Sequence, residues 1–193
     1  MAKLYFSYSA MNAGKSTLLL QASYNYGERG MKTLLFTAKL DNRGKSGEIS
    51  SRIGLAEKAH TFEEKDNLFA TIKKIINENL ISCILIDEAQ FLTPKQVWEL
   101  SDVADKLNIP VMCFGLRTDF QGKLFPGSET LLSIADNLRE IRTICECGKK
   151  AIMVVRQDEN GNVIKEGQQI EIGGNDKYIS LCRYHWKFQM DKI

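Results

Sequence analysis

Lys15 and Ser16 close a segment, Ser9-Ala10-Met11-Asn12-Ala13-Gly14-Lys15-Ser16, whose residue types suit a phosphate group. An apolar run, Leu4–Tyr8, precedes it, and a helix-like stretch, Thr17–Ala22, follows. Strand, loop ending in Gly-Lys-Ser and helix is the layout in which backbone N–H groups wrap phosphate oxygens and a helix N-terminus faces them. Lys15 would reach the β- and γ-phosphates, and the Ser16 hydroxyl would ligate Mg²⁺. Ser9 stands where the G-x-x-x-x-G-K-[S/T] pattern has its first glycine. It is small enough to leave a tight turn open. A chance Gly-Lys-Ser at a helix start is the competing reading.

Asp87 and Glu88 follow a second apolar run, Cys83–Ile86, and precede Ala89 and Gln90. In phosphate-loop enzymes an acid at such a strand end holds Mg²⁺, directly or through water. Asp87 suits that place. The next side chain on a strand faces the other way, so Glu88 is free to act as a base. Its target would be a substrate hydroxyl, or water in an ATPase. The expectation places this strand beside the one that carries the phosphate loop. The bland alternative is a solvated acidic strand end.

Cysteines supply a third constellation. Cys145 and Cys147 lie at one end of a C-terminal tail; Cys182 and His185 lie at the other. Cys-x-x-His is a spacing suited to zinc, while Cys-x-Cys is tighter than usual. Three thiolates and one imidazole would close a tetrahedral structural site, leaving no position for catalytic water. The alternative is three free thiols and a surface histidine. Cys83 and Cys113 sit inside apolar runs and read as core residues. His60 has no metal partner nearby and reads as an ordinary strand or surface residue.

The elements that position these groups are legible in outline. Apolar runs at Leu4–Tyr8, Thr33–Thr37, Cys83–Ile86 and Val111–Gly115 alternate with helical patterns over Leu68–Ile76 and Val97–Leu107. Thr93-Pro94 marks the start of the latter helix. Runs buried on both faces, alternating with amphipathic helices, predict an α/β fold with a mostly parallel sheet. The character changes near Arg142, which divides the chain into residues 1–141 and 142–193. In the second part, Asn160-Gly161 marks a hairpin, and Ile170–Tyr178 reads as a strand entering a glycine-containing loop. Leu40–Gly54, rich in Gly, Ser and charge, reads as a mobile loop.

Composition narrows the function classes. The 193 residues are 44% hydrophobic and 26% charged, with net charge +2, as in ordinary soluble proteins. That charge gives no reason to expect a nucleic-acid or membrane surface. No apolar run approaches the roughly 20 residues that span a bilayer, and the first residues do not form a signal peptide. The cytoplasm is therefore the expected compartment.

Taken together, the Ser-x-Met-Asn-x-Gly-Lys-Ser loop, Asp-Glu-x-Gln-Phe at 87–91, Gly115–Phe120 and the tail around Ile172–Tyr178 resemble the type II thymidine kinases, most closely the bacterial branch. The resemblance covers essentially the whole chain. It implies a RecA-like phosphate-loop domain, a small C-terminal zinc domain with a lasso loop, and a homotetramer. It implies transfer of the γ-phosphate of ATP to the 5′-hydroxyl of thymidine, and of deoxyuridine, giving the monophosphate in pyrimidine salvage. By this resemblance Glu88 is the catalytic base. Ser9, Ala10, Met11, Asn12, Ala13, Gly14, Lys15, Ser16, Asp87, Glu88, Ala89 and Gln90 bind ATP with Mg²⁺. Cys145, Cys147, Cys182 and His185 hold structural Zn²⁺. Met11 and Phe120 line the thymine pocket, Gly173, Gly174 and Tyr178 belong to the lasso, and Arg43 approaches the phosphates. The resemblance also implies feedback inhibition by dTTP, and no nucleic-acid or membrane partner. His185 stands where the animal enzymes have cysteine, which leaves a fourth ligand in place.

Two rival readings are separable. A nucleotide kinase with a zinc-bearing lid would carry its cysteines mid-chain. A RecA-like DNA-dependent ATPase with a zinc ribbon would carry a basic stripe with interleaved aromatics, and no such run is present.

Overall fold

The four apolar runs become the centre of one sheet. The computed structural model describes residues 1–40, 47–170 and 177–192. In chain order the elements begin with β1 (Leu4–Ser9), α1 (Lys15–Gly27), β2 (Thr33–Ala38), β3 (Glu48–Ser50), β4 (Ala56–Lys58) and β5 (His60–Phe62). There follow α2 (Leu68–Ile76), β6 (Cys83–Ile86), a 3-10 turn at Ala89–Phe91, α3 (Pro94–Leu107), β7 (Val111–Leu116), α4 (Pro126–Ile134) and β8 (Asn137–Glu140). The chain ends with β9 (Thr143–Ile144), β10 (Lys150–Ala151), β11 (Met153–Gln157), β12 (Val163–Ile164), β13 (Tyr178–Leu181) and α5 (Arg183–Gln189).

The main sheet has six strands in the order β5-β2-β6-β7-β1-β8, and every pairing within it is parallel. This is the α/β architecture expected from the sequence. Alternate residues of its strands feed two apolar layers. Leu4, Phe6, Leu34, Phe36, Ile84, Ile86, Val111 and Cys113 pack with α2, α3 and α4 on one face. Leu35, Cys83, Leu85 and Phe114 pack with Leu19 and Leu20 of α1 on the other. α3 starts at Pro94 under a complete capping box between Thr93 and Gln96, which satisfies two otherwise orphaned N–H groups.

A third apolar cluster lies in the tail. Cys145, Ala151, Val155, Leu181, Cys182, Trp186 and Met190 form it. β12, β11 and β13 make a small antiparallel sheet there, and β9 pairs with β10. The Asn160-Gly161 hairpin is present between β11 and β12: Gly161 has φ 82°, and Asp158 accepts N–H bonds from Asn160 and Asn162. Leu40–Gly54 is not a loop throughout, because β3 pairs with β4 within and beyond it. Among the described residues no helix is long and apolar enough to cross a membrane.

Candidate functional site

The loop after β1 turns through two left-handed residues, Asn12 at φ 61° and Gly14 at φ 82°. Glycine adopts this conformation without steric cost, and asparagine tolerates it better than most residues. Ser9 is still in the strand and has no positive φ. The missing glycine therefore removes nothing that the backbone needs at that position. Lys15 opens α1 and is buried; its Nζ donates to Ser9 Oγ at 3.2 Å and to the Ala10 carbonyl at 3.1 Å. The ammonium thus lies folded over the loop's own oxygens.

Asp87 and Glu88 reach the same place from the other side of one intervening strand. The sheet order puts β7 between β1 and β6, which corrects the expectation that the loop strand and the acid strand are neighbours. The two still meet: Ser16 Oγ donates to Asp87 Oδ2 at 2.7 Å. A hydroxyl and a carboxylate oxygen side by side are the hard donors that a divalent cation such as Mg²⁺ takes.

Glu88 departs from the expected geometry as well. β6 ends at Ile86, so strand alternation does not aim its side chain. Glu88 has φ 52° and ψ 38°, in the left-handed region that non-glycine residues seldom enter. Both Asp87 and Glu88 are buried, and the Glu88 carboxylate accepts from Gln90 Nε2. Gln90 is only 1% exposed, and its Oε1 accepts the Leu116 N–H at 2.9 Å.

The four tail residues come together. One ligand atom from each of Cys145, Cys147, Cys182 and His185 lies within 4.8 Å of the others. Cys145 Sγ is 3.3 Å from His185 Nδ1, and Cys147 Sγ is 3.9 Å from Cys182 Sγ. A zinc tetrahedron with metal–sulfur bonds of about 2.3 Å has sulfur–sulfur edges of about 3.8 Å, so the cluster fits Zn²⁺. Burial pushes the Cys145 thiol up, but N–H donors from Cys147 and Cys182 and the His185 ring outweigh it. The thiol is brought down to about 6, which favours the thiolate that a metal takes.

The remaining residues divide. Phe120 is 1% exposed; the Arg156 guanidinium lies 4.2 Å from its ring centre, and its carbonyl accepts from Trp186 Nε1. Met11 is half-buried, and its carbonyl accepts the Ser180 hydroxyl of β13 at 2.6 Å. Tyr178 begins β13 opposite Arg156. Arg43, Gly173 and Gly174 lie outside the described residues. Arg156 and Ser180 join the site unannounced by the motifs. Arg156 carried a signal, a cation directly after the apolar run Ala151–Val155, whereas Ser180 carried none.

Fold and site together define a phosphate-loop α/β protein with a thiol and imidazole cluster in its tail. The family model described as "Thymidine kinase" matches residues 2–186. The curated thymidine kinase of Agrobacterium fabrum is 62% identical over 186 residues, covering 96% of each chain. That of Ruegeria pomeroyi is 59% identical over 187 residues, covering 97% of this chain and 94% of the relative. That of Mannheimia succiniciproducens is 57% identical over 193 residues, covering 100% and 99%. The chain belongs to the thymidine kinase family.

Proposed function

We propose that the protein transfers the γ-phosphate of ATP to the 5′-hydroxyl of thymidine, and of deoxyuridine, forming the nucleoside monophosphate. Family membership supports this, and one observation carries it to the residues. The Ser16–Asp87 contact joins the phosphate loop to the acid pair, which the sequence separates widely.

Phosphoryl transfer asks for positioning and charge neutralisation rather than covalent help. Lys15 and the loop from Ser9 to Ser16 cradle the phosphates, with Lys15 leaving the Ser9 and Ala10 oxygens for the nucleotide. Ser16 and Asp87 would hold Mg²⁺, which would supply charge neutralisation at the phosphates. Glu88 accepts the proton of the 5′-hydroxyl as its oxygen attacks phosphorus, and ADP departs in line. Burial of Asp87 and Glu88 supports a site from which water is kept away, so ATP is not spent on hydrolysis.

Cys145, Cys147, Cys182 and His185 hold a structural Zn²⁺. A division at residues 141 and 142 is supported by the apolar clusters, since Ile141 packs with the main core and Cys145 with the tail cluster. Met11, Phe120 and Tyr178, with Arg43, Gly173 and Gly174, form the nucleoside side of the site. Phe120, under Arg156, would serve as a wall beneath the pocket. A cytoplasmic homotetramer inhibited by dTTP completes the reading.

Incubation with γ-labelled ATP, Mg²⁺ and thymidine tests the reading. Label recovered in thymidine monophosphate is the expected result. DNA-stimulated phosphate release without transfer would sink it in favour of a DNA-dependent ATPase.

A further inference from the structure

Three parts of the chain close on the turn that carries Glu88. First, Gln90 spans the Glu88 carboxylate and the Leu116 N–H with its two carboxamide atoms, while itself buried. Second, Gly115 of β7 lies so close that an added Cβ would meet Gln90 N at 2.9 Å and Gln90 Oε1 at 3.0 Å. Third, Gly127 in the first turn of α4 lies closer still. An added Cβ there would meet the carbonyl oxygens of Leu92 at 2.6 Å, Ala89 at 2.7 Å and Gln90 at 3.0 Å. The neighbouring Ser128 is fully buried and donates to the Leu116 carbonyl at 2.5 Å. The peptide groups of Leu116 are thus bonded to Gln90 on one side and α4 on the other.

What this clamp holds is a left-handed glutamate. A non-glycine residue in that conformation is strained, and such strain persists only where the surroundings over-determine it. Each end of the Gln90 carboxamide is already engaged within the protein, the nitrogen on Glu88 and the oxygen on the Leu116 N–H, which favours a role inside the turn over a nucleotide contact.

We infer that Gln90 is a positioning residue for Glu88, seated by the close backbone approach that Gly115 and Gly127 permit, rather than a contact to ATP. The inference rests on the reading of Glu88 as proton acceptor. Gln90 fixes which way the carboxylate faces; Gly127 fixes the height of the turn on which it stands. Displacement of a reacting group by about 1 Å costs on the order of 10²-fold, so both residues act on turnover and not on substrate affinity.

Steady-state kinetics of Gln90→Met and Gly127→Ala, alone and combined with Glu88→Gln, test this. Gly27→Ala is the control, since an added Cβ there meets nothing within 4 Å. Both test variants are expected to lose about 10- to 100-fold in kcat, with KM for ATP and thymidine within about 3-fold. In the Glu88→Gln background Gln90→Met should cost little more, because residues acting as a unit are not additive. A raised KM for ATP with kcat retained would overturn the inference in favour of nucleotide contact. A full additional loss in the Glu88→Gln background would overturn it in favour of a merely structural role. If Gly127→Ala does not fold, Gln90→Met decides. Near-normal turnover of Glu88→Gln overturns the underlying reading of Glu88. An inactive Glu88→Gln beside an unaffected Gln90→Met overturns only the positioning role.

Discussion

Cys83 and Glu88 lie five residues apart in the same buried stretch and show how differently burial acts on a side chain. Glu88 is buried with a partner that orients it. Cys83 is buried among apolar neighbours, and desolvation pushes its thiol up to about 11, with the Tyr26 hydroxyl contact pulling the other way. In the unfolded chain this thiol ionises near 9.0. The raised folded value means that its contribution to stability is complete below that pH and is lost as the pH rises through about 11. The urea midpoint should therefore fall between these pH values. Cys83→Ala should flatten the fall, and an unchanged slope would remove Cys83 as its cause.

Elements were legible where one physical rule dominated. The four central strands announced themselves as apolar runs because both of their faces are covered. α2 and α3 announced themselves by period and cap. β5 and β8 did not, because they are edge strands with exposed polar residues. α4 was hidden by its own opening, Phe125-Pro126-Gly127-Ser128, which reads as a loop. The glycine is there because α4 lies against backbone carbonyls, a tertiary demand with no local signature. The site followed the same division. The cysteine and histidine cluster could be read from type and spacing, as could the strands that lead to Lys15, Ser16 and Asp87. The left-handed turn at Glu88, the intervening strand β7 and the Ser180–Met11 bond depend on long-range packing. Caps can be tested at this scale. Asn67 caps α2 by accepting the Ala70 N–H at 2.8 Å. Asn67→Ala should cost about 1 kcal/mol and lower Tm by about 2–4 °C. Turnover should be unchanged, because α2 packs on the sheet face opposite α1, the helix that the phosphate loop opens. Differential scanning calorimetry with a parallel kinetic assay checks both.

At the scale of the whole molecule, the tail is a small antiparallel sheet tied down at several points. The cysteine and histidine cluster gathers β9, β10, β13 and α5, Trp186 Nε1 donates to the carbonyls of Phe120 and Val154, and Ser180 reaches the phosphate loop. A core this small gains much of its stability from a metal. Protein purified without chelator should hold about one zinc per chain by elemental analysis. Chelation should expose three thiols to a thiol reagent at pH 8, those of Cys145, Cys147 and Cys182. Cys83 and Cys113 should stay protected, since burial keeps both protonated. Absence of zinc, with three thiols reactive from the outset, would refute the metal site.

These scales meet at one carboxylate. The loop that follows β1 and the turn that follows β6 have a shared purpose only if Glu88 takes a proton from the nucleoside hydroxyl while the loop holds ATP. Single-turnover transfer by Glu88→Gln, measured beside its ATP affinity, tests this most directly. ATP affinity is expected within about 3-fold of the unsubstituted protein, and transfer to thymidine slower by about 10²- to 10⁴-fold. Transfer at a near-normal rate would contradict this role of Glu88.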